Sequence, residues 1–241
     1  MPRSRKSARS NEKTTTGKAS IDELYGRLLT DARKVRINGV IEARLSSVTA
    51  VLEQVHDPHN LAAVARTAEA LGLCAMHIIP EPGSPWRPHR KITQDAHKWL
   101  EVVTHADFRA CAETLRDAGY RVLAGTLDPA AIEVAEIPGD KPLALIFGNE
   151  HRGVSPEALG ACDGSFRIDM LGFTKSLNVS VAAGIALDHA VRARRAFLGK
   201  TGDLSLANRR AMQRRYYRLA NAQSKRIGEA LENKPRRKSV E

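Results

Sequence analysis

The sequence predicts an α/β protein, a parallel sheet flanked by helices, with basic helical extensions at both ends. Three observations carry this. Strand-like apolar runs alternate with segments of helical period, the pattern of βα units. The runs are nearly continuously apolar, Pro142–Phe147 most clearly, as in parallel strands buried on both faces. The positive charge sits outside the alternating region. Residues 1–20 hold six Lys/Arg against one Glu, and 191–241 hold fifteen against four acids, whereas 21–190 hold seventeen basic and twenty-two acidic residues. The net charge of +11 therefore resides in the two ends.

Residues 1–20 are polar, basic and rich in Ser/Thr, and cannot bury enough apolar surface to order themselves. From Ile21 to Leu45, Leu24, Leu28, Leu29, Val35, Ile37, Val40 and Ile41 recur at roughly helical spacing among arginines, which predicts one or two short basic amphipathic helices. Val48–Val55 reads as a strand. Pro58 opens a helix carrying Leu61, Val64, Ala65, Ala68 and Leu71, and Gly72 stops it. Cys74–Ile79 is a second strand, followed by a Pro/Gly/Trp loop from Pro80 to about Arg90. Val102–Val103 suggests a short strand. Asp107 can cap a helix to Ala118, which Gly119 ends. Tyr120–Leu127 and Pro142–Phe147 are further strands. Ser155 and Pro156 open a short helix, and Ser165–Met170 is a final strand. Ser176 or Asn178 starts a helix reaching about Phe197, and a basic helical segment runs from Leu204 to about Leu231. The domain boundaries expected are a disordered tail at 1–20, a helical extension at 21–46, an α/β domain at 47–200 and a basic helical extension at 201–241.

With 42% hydrophobic but only 5% aromatic residues, the core must be mostly aliphatic. No apolar run approaches the roughly 20 residues that cross a membrane, and no secretory h-region opens the chain. Cys74, Cys111 and Cys162 are far apart and form no CxxC pair, which fits buried, reduced thiols in the cytoplasm. Basic ends around an acidic middle favour a polyanion held by terminal elements.

Ligands of open α/β sheets sit at the carboxyl ends of strands. Three strand ends carry distinctive loops: His56-Asp57-Pro58-His59-Asn60 leading to Arg66, Gly148-Asn149-Glu150-His151-Arg152-Gly153, and Leu171 to Asn178. No GxxxxGK[ST] is present, so a P-loop is excluded, and no GxGxxG follows a strand. The eight histidines show no metal spacing. His56 and His59 are close but lack two further ligands, so no metal is expected.

The three loops, in this order, resemble those of the TrmH-type SPOUT RNA 2'-O-methyltransferases. HNLAAVART resembles the family's motif 1, FGNEHRGVS its motif 2 and IDMLGFTKSLNVSVAAGIALDHA its motif 3, and the resemblance covers about residues 35–200. It implies S-adenosylmethionine as cofactor, a trefoil knot near the end of the catalytic domain, and a homodimer with the active site near the interface. The implied substrate is a tRNA ribose, the D-loop guanosine at position 18. Ribosomal RNA is the same-class rival, and a non-catalytic RNA-binding protein on the same fold is the rival of another class.

By this resemblance Arg66 is the catalytic arginine. A guanidinium almost never gives up its proton, so phosphate binding and stabilisation of a developing alkoxide suit it better than a base role. Asn60 would fix Arg66 or the ribose, though turn or cap chemistry also explains it. Glu150 would order Arg66 or Asn178. Ser176 and Asn178 complete the catalytic set, and both are also ordinary N-caps. The cofactor would be held by the loop backbone and by Thr126, Leu127, Gly148, Asn149, Ile168, Met170, Ser176, Leu177 and Asn178, Gly148 permitting close approach of backbone to ligand. Asp169 departs from the family pattern, where Pro is usual, which implies altered loop stiffness. Arg192, Arg194, Arg195, Arg214 and Arg215 are the expected RNA phosphate contacts.

Overall fold

The structure is a computed structural model that describes residues 25–83 and 98–221. The expected disordered tail, most of the loop after Pro80 and the end of the last helix lie outside these residues.

Seven parallel strands form one sheet: β1 (Val48–Glu53), β2 (Ala75–Ile79), β3 (Glu101–Thr104), β4 (Arg121–Gly125), β5 (Ile132–Glu133), β6 (Leu143–Phe147) and β7 (Gly164–Arg167), in the spatial order β3-β2-β1-β6-β4-β7-β5. The most apolar strands are central. Every residue of β1 and of β6 is buried, and they pair from Val48 opposite Leu143 to Leu52 opposite Phe147. Two-residue β5 escapes the sequence pattern because neither residue is buried and it pairs only with β7. The strand expected at Ser165–Met170 ends at Arg167, so residues 168–170 belong to the loop beyond it.

Helices α1 (Asp31–Glu42), α2 (Pro58–Leu71), α3 (Phe108–Asp117), α4 (Pro156–Ala161), α5 (Val179–Leu198) and α6 (Leu206–Ala220) accompany the sheet. Their starts follow elementary capping chemistry. Asp57, Asp107, Ser155, Asn178 and Ser205 each accept a backbone N–H of the first turn. Gly72 ends α2 at φ +92°, a conformation that side chains resist. One core layer joins α2 and α5 to the sheet through Val64, Ala68, Ala183, Leu187 and Ala190. The opposite layer packs Phe108, Cys111 and Leu115 of α3 against Val51, Val122 and Ile146.

α1 and α6 pack together around Ile37, Ile41, Leu204 and Tyr216. α1 is less amphipathic than expected, since Val35 is 72% exposed. Behind this pair lies a polar anchor that the sequence did not reveal. Arg44, 1% exposed, donates to the carbonyls of Glu69 and Leu73 and to the Glu69 carboxylate, and stacks over Tyr216. The Asp203 carboxylate accepts from Ser46 N, Ser46 Oγ and Ser47 N at 2.6, 2.9 and 3.0 Å, tying the segment before α6 to the entrance of β1. Among the described residues, no helix is long and apolar enough to cross a membrane.

Candidate active site

The loops after β4, β6 and β7 converge on a cavity of about 620 Å³, a volume suited to a nucleoside-sized ligand. From the β4 loop come Thr126 and Leu127. The β6 loop contributes Gly148, Asn149 and Glu150, and the β7 loop contributes Ile168, Met170, Ser176, Leu177 and Asn178. All nine expected cofactor residues therefore line one space. The sequence reading missed Phe147, Phe166 and Leu159, which add apolar wall. The alternation of apolar positions hid them, because each also reads as ordinary core.

The polar floor is a chain of hydrogen bonds through Glu150. Its carboxylate accepts from His56 N at 3.1 Å, Asp57 N at 3.3 Å and Asn60 Nδ2 at 2.9 Å. Asn60 Oδ1 accepts in turn from Asn178 Nδ2 at 3.0 Å. Asn178 Oδ1 caps α5 by accepting from Ser180 N and Oγ at 2.8 and 2.6 Å. Three loops 90 and 118 residues apart in sequence are thus joined by one network. Burial pushes the Glu150 carboxyl upward, but the Asn60 amide and the backbone donors of His56, Glu150 and Asp57 outweigh it and hold it below its usual range. A carboxylate so supplied with donors is an organiser, and a poor base. Its reach to Asn178 runs through Asn60, and no bond joins it to Arg66.

Asn149 lines the cavity and also shapes its own loop. Its side chain is committed to the loop, donating to Gln54 O at 2.8 Å and accepting from His151 N at 2.9 Å. Its N–H and carbonyl also pair with Gly153. Gly148 is required for a related reason. A Cβ there would stand 2.2 Å from the Gly153 carbonyl and from Val154 N, so the chain's own backbone already requires glycine. Asp169 pairs with Arg167, which also donates to Ala131 O, so a side-chain brace stands where the family pattern has a rigid ring.

Ser176 lines the cavity, while Asn178 alone is the helix cap. Arg66 projects from α2 into solvent, outside the cavity lining, with no hydrogen bond or ion pair among the described residues. Leu171 and Phe173, on the loop before α5, are almost wholly exposed.

The five arginines expected to contact RNA divide. Arg194 is 8% exposed and donates to Ser47 Oγ and Gly139 O. Arg195 donates to the carbonyls of Thr201, Ala43 and Leu71, and Arg215 to those of Lys98 and Leu100. These three hold elements together, because unpaired carbonyls at helix and strand ends need donors. Arg192, paired with Asp188, and Arg214 remain on the surface.

Comparison with known proteins gives this geometry its context. A model of the SpoU rRNA methylase family matches residues 47–188. The chain belongs to the SpoU methylase family. It is 40% identical over 166 residues to a tRNA (guanosine(18)-2'-O)-methyltransferase of Thermus thermophilus, an alignment spanning 68% of this chain and 84% of that relative. The crystal structure of an Aquifex aeolicus TrmH/SpoU tRNA modifying enzyme superposes with a TM-score of 0.71 at 28% identity, over 78% of this chain and 96% of that one. An AdoMet-bound rRNA methyltransferase of Sinorhizobium meliloti superposes with a TM-score of 0.56 at 27% identity, over 65% and 59% of the two chains. The cavity of this SpoU methylase lies within the matched region, apart from no lining residue.

Proposed function

We propose that this chain transfers a methyl group from S-adenosylmethionine to the 2'-hydroxyl of guanosine 18 in tRNA. The observation that carries the reading is the meeting of an apolar wall and the Glu150–Asn60–Asn178 network at one cavity. Relatives named for this reaction support the choice of nucleoside and RNA, and a relative solved with AdoMet supports the cofactor.

The residues fit the cofactor. Leu127, Ile168, Met170 and Leu177 supply apolar surface for a flat base, and the looped backbone around Gly148–Gly153 and Ser176–Asn178 offers polar groups for its ribose and amino-acid ends. S-adenosylmethionine supplies an electrophilic methyl on a sulfonium. Glu150 places a negative charge beside the cavity, which favours a cationic ligand. Asn178, oriented by Asn60, presents a fixed amide at the cavity edge. Arg66 keeps its charge and serves as a phosphate clamp and a stabiliser of alkoxide character on the attacked ribose.

The same reading includes a homodimer, which would cover exposed Leu171 and Phe173 and bring Arg66 of one subunit toward a completed site. It also includes the trefoil knot, cytoplasmic action on folded tRNA, and RNA docking by the two basic terminal extensions with Arg192 and Arg214. Radiolabelled S-adenosylmethionine with tRNA lacking ribose methylation, and separately with rRNA, tests the reading. Label in tRNA is expected. Label in rRNA alone would overturn the choice of substrate, and label in neither, with the protein folded, would overturn the enzyme reading.

A further inference from the structure

Three donor side chains away from the cavity meet near the sheet edge formed by β2 and β3. His77 lies in β2, His105 directly follows β3, and Cys111 lies in α3. One ring nitrogen of each histidine and the Cys111 Sγ lie within 4.8 Å of one another, and all three residues are buried. His77 Nδ1 and His105 Nε2 are 2.8 Å apart, and the rings stack with centroids 5.1 Å apart at 19°. Beyond that one bond, neither ring nor the thiol has a hydrogen-bond partner among the described residues. Cys111 belongs to an apolar core cluster with Val51, Ile79, Phe108 and Ala112.

Buried polar groups ordinarily spend their hydrogen-bonding capacity. Among the described residues these two imidazoles and the thiol share one bond, and no ring nitrogen of either histidine is a fully buried atom left without a partner. We propose that His77, His105 and Cys111 form a binding site for a borderline-soft divalent cation of the Zn²⁺ class. Two imidazole nitrogens and a thiolate are a donor set that such ions prefer over Mg²⁺ or Ca²⁺. Tetrahedral bonding would set the donors about 3.3–3.6 Å apart, from typical Zn–N and Zn–S lengths. The histidine nitrogens, 2.8 Å apart, need to open by roughly half an ångström, within the reach of side-chain rotation.

One acidic side chain lies close enough to the cluster to act on it. Glu53, 4% exposed on β1, is held by Ser155 N and Oγ at 2.8 and 2.6 Å, and its charge is felt at Cys111. Loading forms the sulfur–metal bond with the sulfur electron pair and releases the thiol proton to solvent, with no change of oxidation state. The ion would tie the edge strand β3, its neighbour β2 and the covering helix α3 together, a structural clamp outside the methyl-transfer site.

The test uses the full chain after dialysis against a chelator, with Co²⁺ as a spectroscopic probe and Zn²⁺ as its competitor. A thiolate-to-cobalt charge-transfer band saturating at one Co²⁺ per chain is expected, lost on Zn²⁺ addition. Cys111→Ala should abolish the band and weaken Zn²⁺ binding by about 100-fold. A folded native chain without the band, or a band that survives Cys111→Ala, would overturn the site. If that variant fails to fold, pulse alkylation of the native chain decides. Zn²⁺ should slow modification of Cys111 about tenfold or more while leaving Cys74 and Cys162 unchanged, and equal rates at all three would overturn it.

Discussion

At the scale of single residues, Glu150 acts through what it holds. Its carboxylate gathers the start of α2 and, through Asn60, the start of α5. Glu150→Gln removes the charge and replaces one acceptor with a donor, so Asn60 loses its orientation. Misplacement of a reacting group by about 1 Å can cost roughly 10²-fold. A fall of about that size in kcat is therefore expected, with cofactor affinity within about threefold, measured by methyl transfer and by calorimetry. The pH dependence has a definite sign. The folded carboxyl lies below its ordinary value of 4.5, so the network stabilises fully above that value and weakens as pH falls through the folded one. Amide exchange at His56 and Asp57 should accelerate in that acidic window and stay protected at neutral pH. Arg66→Ala makes the contrasting case. Arg66 lies outside the cavity lining, so cofactor binding should survive while transfer is lost. Loss of both in the folded variant would contradict the division of labour.

At the scale of elements, helix starts and central strands were legible because their signals are local. Asp107 and Ser155 cap the helices their side chains predict, and β6 is the buried run that its composition describes. The site loops were legible through their order in the chain. What was not legible depends on distant partners. Arg194, Arg195 and Arg215 look like surface cations until the carbonyls they satisfy are seen. The His77–His105–Cys111 cluster is assembled from three elements and has no spacing signature. Gly148 illustrates how tightly the loops are packed. Gly148→Ala forces a Cβ to within 2.2 Å of the Gly153 backbone, and overpacking of a rigid site typically costs about 1–3 kcal/mol or more. A lower Tm together with loss of cofactor binding is expected, read by thermal unfolding with and without S-adenosylmethionine.

At the scale of the whole molecule, an acidic middle that carries the cavity is flanked by basic ends. The Asp203 clasp joins the segment leading into α6 to β1, so the C-terminal helix is anchored to the sheet that carries the cavity. Asp203→Asn should cost about 1–3 kcal/mol, the range for hydrogen bonds to a charged group, in urea unfolding. RNA affinity should fall steeply with salt, and Arg192→Gln or Arg214→Gln should each reduce that slope by about one. Arg194→Gln should instead lower stability, because its guanidinium is inside the fold.

The methyl group goes to a ribose oxygen. A 2'-O-methyl group blocks alkaline cleavage of the adjoining phosphodiester, whereas a methylated base does not. Alkaline hydrolysis of tRNA labelled by this enzyme should therefore leave the label in an alkali-stable dinucleotide that begins with guanosine. Recovery of the label in single nucleotides would contradict the account.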